Sequence, residues 1–308
     1  MRIIEPELFS PYEKDFLGSE MLCDYAFSLC GGPCAGLFRI SGEKMLQDLV
    51  QSCIAGKIPF RVFGGMTNVL VSDDGFDGVV LINRKGEIRH TEDGQGNVEL
   101  TADSGLGMSA VVHYCAENSI SGFEWASGLP GTAGGAVFGN AGAFGSDISE
   151  CFISGTAVDS CGNLIRISNA EMEFGYRSGV LKRGALDAVL LSASFRLKKG
   201  SRADILAKGM ACKEKRKASQ PVTEHSLGSV FKNPEGDSAG RLIQAAGLKG
   251  YKIGKAAVSL KHANFITTEK GVTGDDYYRL VKHVQRTVFE ASGIMLEPEI
   301  EFLGFASE

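Results

Sequence analysis

Apolar residues recur at helical spacing through SGEKMLQDLVQSCIAG, where Met45, Leu46, Leu49, Val50, Cys53 and Ile54 form one stripe. Ser41 is placed to cap that helix and Gly56 to stop it. The pattern then changes to β-branched and aromatic runs around Gly and Asp clusters, FRVFGGMTNVLVSDDGFDGVVLIN, which predicts strands and tight turns. Together these make an α+β unit over residues 1–82. Residues 83–200 read as a second α+β unit: short strands (NVELTAD, FISGTAVDS, NLIRIS, AVLLSASFRL) surround one helix, MSAVVHYCAEN, and a glycine-rich loop. A third α+β unit, 201–308, opens on the charged helix RADILAKGMACKEKRKA and later carries TGDDYYRLVKHVQRTVFEASG. In that second helix Thr273 is the expected N-cap, Asp275 and Asp276 suit the positive end of the dipole, and Gly293 ends it.

A chain of 308 residues is long enough for two or three such units, each with its own core. With 44% apolar residues, 22% charged residues and a net charge of −5, it lacks the basic excess of a nonspecific nucleic-acid binder. It has no apolar run of membrane-spanning length, and its start, MRIIEPELFSPYEKDF, is acidic where a secretory core would be apolar. No membrane insertion and a cytoplasmic location are expected. The eight cysteines include no CxxC pair and no histidine at zinc spacing, so buried free thiols and no metal are expected.

Glycine departs from the norm: 40 residues, against a usual share of about 7%. GLGMSA, Gly105–Ala110, matches a dinucleotide fingerprint but lacks a parallel βαβ series around it, and GYKIGKA is one residue short of a P-loop, with Ala256 where a hydroxyl is needed. The segment from Ser127 to Gly145, SGLPGTAGGAVFGNAGAFG, fits neither pattern. Pro130 stiffens it, Thr132 offers a hydroxyl, and Gly131, Gly134 and Gly135 allow N–H groups to face one point. FGGMTNVL repeats that chemistry with Gly64, Gly65, Thr67 and Asn68. Two such loops either grip a pyrophosphate from both sides or are two tight turns.

VFGGMTNVLV, GLPGTAGGAVFGNAGAFG, YRSGVLK, GSVFKNP and LEPEIEFLG, in that order, resemble the UDP-N-acetylenolpyruvoylglucosamine reductase family over nearly the whole chain. The resemblance implies an α+β fold of vanillyl-alcohol-oxidase/p-cresol-methylhydroxylase type: FAD-binding subdomains at 1–82 and 83–200, then a substrate domain at 201–308. It implies non-covalent FAD, NADPH as hydride donor and UDP-N-acetylglucosamine enolpyruvate as substrate. The flavin residues it implies are Gly64, Gly65, Thr67, Asn68, Gly128, Pro130, Gly131, Thr132, Gly134, Gly135, Asn140, Ala141 and Gly142. Arg177 of YRSG matches the family arginine, suited to holding a carboxylate bidentately. Ser229 matches the proton donor and Glu299 the catalytic glutamate. Strand alternation would turn Glu297, Glu299 and Glu301 to one face. Lys217, Lys232 and Asn233 are the implied substrate contacts, although Lys217 lies in KEKRK, which reads equally as a solvated helix face. His262 and Asn264 of KHANF are left outside the catalytic set.

The chain departs from the family pattern at Met66 and Thr67, where a glycine and a serine are usual, at Phe144 in place of a tyrosine, and in the residues after Arg177. Met66 disfavours positive φ and brings flavin affinity into question. The short interval from Arg177 to Ser229 resembles the compact branch of the family, without its inserted substrate-closing loop. Beside the reductase, two readings stay open: a flavin oxidase of the same fold, and a flavin-binding paralogue without turnover.

Overall fold

The computed structural model describes residues 1–305, so the last three residues of the expected 201–308 unit lie outside the described residues. In the first unit β1 (Cys34–Ile40), α1 (Glu43–Ala55), β2 (Phe60–Phe63), β3 (Val69–Val71) and β4 (Phe76–Asn83) follow one another. The sheet runs β1–β4–β2 with both pairings parallel. Met45, Leu46, Leu49, Val50 and Cys53 are the buried face of α1, as their spacing predicts. The cap differs from expectation: Gly42, not Ser41, is the N-cap, and it makes no side-chain capping bond. A cap contributes ~1 kcal/mol, whereas each fully buried apolar side chain contributes ~1.5–3 kcal/mol, so the stripe decides that this helix forms.

The second unit contains β5 (Ile88–Glu92), β6 (Asn97–Asp103), α2 (Met108–Glu117), α3 (Ala133–Phe138), β7 (Phe152–Asp159), β8 (Leu164–Ser168) and β9 (Ala188–Lys199). Its antiparallel sheet has the order β8–β7–β9–β6–β5, with Ile120–Ser121 also paired to β9. GLGMSA therefore lies beside an antiparallel sheet, not in a βαβ series. The core is aromatic, with Phe152 and Phe123 both edge-on to Phe195.

In the third unit α4 (Arg202–Ser219), β10 (His225–Ser229), α5 (Ala239–Ala245), β11 (Lys252–Ile253), β12 (Ala256–Val258), β13 (Phe265–Thr268), α6 (Gly274–Ser292) and β14 (Glu301–Leu303) form around an antiparallel sheet, β10–β13–β12–β11. Thr273 caps α6 by accepting from Asp276 N at 3.0 Å, and Gly293 ends it in the left-handed region. Tyr277, Leu280, Val281, Val284 and Val288 bury one face of that helix. The tail then leaves this unit: β14 pairs in parallel with β3, Glu301 opposite Val69. That pairing returns the chain's end to the loop Phe63–Leu70.

All eight cysteines are free; Cys30, Cys34, Cys53, Cys115 and Cys151 are buried, Cys23 and Cys212 half-buried, and Cys161 exposed. Burial pushes the thiols of Cys30, Cys53, Cys115 and Cys151 up to about 12, which leaves them unreactive. No helix among the described residues is long and apolar enough to cross a membrane.

Candidate active site

The two glycine-rich loops pack directly on one another. A side chain on Gly64 would collide with Thr132 Oγ1, a Cβ on Gly65 would reach 3.5 Å from Gly131 Cα, and one on Gly131 would lie 3.3 Å from Thr67 Oγ1. Arg84 draws the first loop's carbonyls to one side, donating Nε to Gly64 O at 3.1 Å and Nη2 to Gly65 O at 3.3 Å. Bare backbone and two threonine hydroxyls converging in this way fit the pyrophosphate of FAD. The loop beginning at Ser127 is partly helical: Thr132 caps α3 by accepting from Gly135 N at 3.4 Å. Its N–H groups are not all open to an anion, because Ala133 N donates to Leu106 O and Gly134 N to Ser104 O, each at 2.8 Å. Pro130 leads into Gly131, whose carbonyl accepts from Met108 N. Gly128 lies against Arg216, so that a Cβ at position 128 would stand 3.4 Å from Arg216 Cδ.

Met66 does adopt positive φ, 48°, despite its side chain. That side chain is buried in a cluster with Leu22, Val69, Val80 and Leu303, which offsets a left-handed cost of ~1–2 kcal/mol. The loop therefore keeps a glycine-like backbone without the glycine.

Gly175 and Ser178 exchange two backbone hydrogen bonds, at 3.0 and 3.1 Å, and lift Tyr176 and Arg177 to the tip of a tight turn. Arg177 sits there at φ 53°. The turn is tied to the second loop by Asn140, which is buried and donates Nδ2 to Gly175 O at 2.9 Å while Oδ1 accepts from Ser149 N at 3.0 Å. Arg177 closes the link by donating Nη2 to Gly142 O at 2.6 Å and Nη1 to Asn140 O at 3.4 Å. Ala141, between them, is fixed by its N–H on Ala136 O. Asn140, Ala141 and Gly142 thus position the arginine.

The remaining face of Arg177 meets Glu299, with Nε 2.8 Å from Oε1. Among the described residues three of its five guanidinium N–H groups are engaged, which leaves two able to bind a carboxylate. Burial pushes the Glu299 carboxyl up from its ordinary range, and Arg177, Lys182 and Lys232 oppose that rise without cancelling it. Glu299 N donates to Val230 O at 2.8 Å, beside Ser229 at the end of β10, and Asn264 brackets Phe231 through both backbone groups. The bond to Val230 sets the Glu299 backbone against the residue that follows Ser229. The strand expected through Glu297, Glu299 and Glu301 is formed only from Glu301, where β14 begins. Glu297 turns out to Lys232 Nζ, and Glu301 to Lys182 Nζ at 3.1 Å.

Lys232 and Asn233 line a pocket of about 310 Å³ with Tyr176, Pro234, Leu296 and Glu297, next to the arginine turn. Lys217 does not line it: its side chain is exposed, and its carbonyl accepts from Lys261 Nζ. His262 is structural, accepting at Nδ1 from Asn264 N at 3.2 Å. Sequence reasoning missed Arg216, one position away from Lys217. It is 7% exposed, donates Nε to Ser127 O at 3.1 Å and Nη2 to Trp125 O at 3.4 Å, and lies 5.1 Å from the Phe144 ring centroid. The signal was present: Ile205, Gly209 and Arg216 fall on one face of α4 at spacings of four and seven.

Family models match two stretches of the chain: one described as FAD binding domain over residues 34–168, the other as UDP-N-acetylenolpyruvoylglucosamine reductase, C-terminal domain, over residues 220–303. Among curated proteins, the UDP-N-acetylenolpyruvoylglucosamine reductase of Caldicellulosiruptor saccharolyticus is 37% identical over 292 residues, 94% of this chain and 92% of the relative. That of Exiguobacterium sibiricum is 38% identical over 287 residues, 93% of this chain and 92% of its own. The crystal structure of the Thermus caldophilus UDP-N-acetylenolpyruvylglucosamine reductase superposes with a TM-score of 0.76 at 32% identity, covering 92% of this chain and 98% of the other.

Proposed function

This chain belongs to the UDP-N-acetylenolpyruvoylglucosamine reductase family, and we propose that Arg177, Ser229 and Glu299 carry its reaction. It is an FAD-dependent oxidoreductase that reduces UDP-N-acetylglucosamine enolpyruvate to UDP-N-acetylmuramate in peptidoglycan precursor synthesis. NADPH is the proposed hydride donor. The working division is into FAD-binding subdomains 1–82 and 83–200, in a vanillyl-alcohol-oxidase/p-cresol-methylhydroxylase-type arrangement, and a substrate domain 201–308. Gly64, Gly65, Thr67, Gly131, Thr132 and Gly135 would hold the FAD pyrophosphate, with Asn68, Gly128, Pro130, Gly134, Asn140, Ala141 and Gly142 shaping the loops. Bound FAD supplies the chemistry of accepting a hydride and passing it on.

Hydride addition to the enolpyruvyl double bond leaves negative charge on the adjoining carbon and its carboxylate. The two free N–H groups of Arg177 meet that carboxylate with fixed positive charge, at no reorganisation cost during reaction. Ser229 delivers the proton to the carbanionic carbon, and Glu299, whose backbone is bonded to the neighbouring Val230, governs the local charge around that transfer. Lys232 and Asn233, in the pocket beside Tyr176, take the uridine diphosphate portion, whereas the exposed Lys217 lies outside that pocket. The observation that carries the reading is the convergence of Arg177 and Glu299 at 2.8 Å beside the two packed loops. Consumption of NADPH that depends on the enolpyruvyl substrate and yields UDP-N-acetylmuramate by mass tests it. Hydrogen peroxide formed without that product would instead point to an oxidase.

A further inference from the structure

We propose that Lys182 is a positioning residue for Glu299, holding its backbone and setting the charge around its carboxyl without touching substrate. Lys182 follows Arg177 by five residues, and its side chain is 13% exposed. An ammonium so enclosed is unfavourable unless it is paired and hydrogen-bonded. Its Nζ donates to Glu299 O at 3.0 Å and faces Glu301 Oε1 at 3.1 Å. The same Glu299 carbonyl accepts from Asn68 Nδ2 at 3.2 Å, while Glu299 N donates to Val230 O at 2.8 Å. Glu301 N in turn donates to Asn68 O at 2.9 Å.

One glutamate backbone is therefore gripped from the first flavin loop by Asn68, from the arginine turn by Lys182 and from the serine strand by Val230. With both its peptide groups fixed, the Cα–Cβ bond is held in place, and from there the side chain reaches Arg177 at 2.8 Å. The charged groups that act on its carboxyl are Arg177, Lys182 and Lys232, and the two lysines are themselves paired with Glu301 and Glu297. Lys182 differs from Arg177 in binding the carbonyl and not the carboxylate, so it acts on the carboxyl through space and through the backbone. A plain interdomain staple would have the same contacts but no influence on the ionisation of Glu299.

The inference rests on the proposed catalytic role of Glu299, and the test separates the two. The protonated-carboxyl infrared band that is absent from Glu299→Gln is titrated in the FAD-loaded enzyme and in three variants. Lys182→Met is expected to raise the midpoint of that band by about one pH unit, a tenfold change in the carboxyl-to-carboxylate ratio. Glu301→Gln is expected to lower it, because an anion is removed and Lys182 loses its counter-ion. Lys182→Arg keeps the charge and stays near the parent midpoint. An unmoved midpoint in Lys182→Met with a lowered melting temperature overturns the proposal and leaves a staple; if that variant does not fold, an unmoved midpoint in Glu301→Gln overturns it equally. In single-turnover kinetics Lys182→Met is expected to slow flavin reoxidation by the enolpyruvyl substrate about tenfold, with reduction by NADPH held within about twofold. A shifted midpoint with unchanged reoxidation supports the positioning role and counts against Glu299 as a catalytic group.

Discussion

Arg177 Nε lies 2.8 Å from Glu299 Oε1, and this contact joins the turn at Gly175–Ser178, itself tied to the second glycine-rich loop, to the chain's returning tail. Both side chains are largely enclosed, 23% and 17% exposed, so each is the other's principal counter-charge. A lysine at position 177 cannot reach Glu299, Gly142 O and a substrate carboxylate together, because it offers a point charge instead of a planar fork. Arg177→Lys is expected to slow substrate-dependent flavin reoxidation by ~100-fold, the scale for losing one aimed electrostatic donor. Stopped-flow absorbance measures it, and near-parental reoxidation would remove Arg177 from the carboxylate site.

Ser229→Ala should divide the two half-reactions. The hydroxyl is needed when the carbanionic carbon is protonated and not when NADPH delivers its hydride. Reoxidation is expected to fall by ~10²–10⁴-fold, the range for general acid catalysis, while reduction by NADPH is nearly unchanged. Equal losses in both would contradict the assignment of Ser229 as proton donor.

Glu299 also gives a stability test with a defined sign. Burial raises its folded-state pKa above the ordinary unfolded value of ~4.3, so the folded protein binds this proton more tightly than the unfolded chain. The stabilisation is full below the unfolded value and is lost as pH rises through the window up to the raised folded value. Glu299→Gln lacks this dependence. Its stability relative to the parent is expected to improve across that window and then level off, as read by urea unfolding at a series of pH values; a flat difference would show that the carboxyl is not shifted.

Met66→Gly exchanges two opposed effects. Glycine relieves a left-handed cost of ~1–2 kcal/mol, but the variant loses ~1.5–3 kcal/mol of side-chain burial and gains ~0.5–1 kcal/mol of unfolded-chain entropy. A net destabilisation of ~1 kcal/mol is expected, with flavin affinity preserved. Markedly tighter FAD binding on introducing the glycine would mean that Met66 distorts the loop after all.

What was legible in the sequence was local. The helix Gly274–Ser292 could be delimited from Thr273 and Gly293 because a cap and a stop act within one turn. The order of the motifs was equally readable, and it led to the family. The setting of Glu299 was not, because its partners Asn68, Lys182 and Val230 lie on three different units, and no periodicity around residue 299 encodes them. The strand expected there is incomplete for the same reason: the tail takes its geometry from bonds to Val230 and Asn68. Arg216 was hidden inside KEKRK because the charge of its neighbours masked a position that the helical stripe buries. Asn140 looked like a flavin contact from its place in the loop, yet its side chain is spent on Gly175 O and Ser149 N.

The most direct test of the proposed reaction is an anaerobic titration of the purified protein reconstituted with FAD. NADPH is added first and UDP-N-acetylglucosamine enolpyruvate second, with the visible flavin band followed throughout. The band is expected to bleach with NADPH and to return in full with the enolpyruvyl substrate, in the absence of oxygen. A band that bleaches and returns only when oxygen is admitted would contradict the reductase assignment.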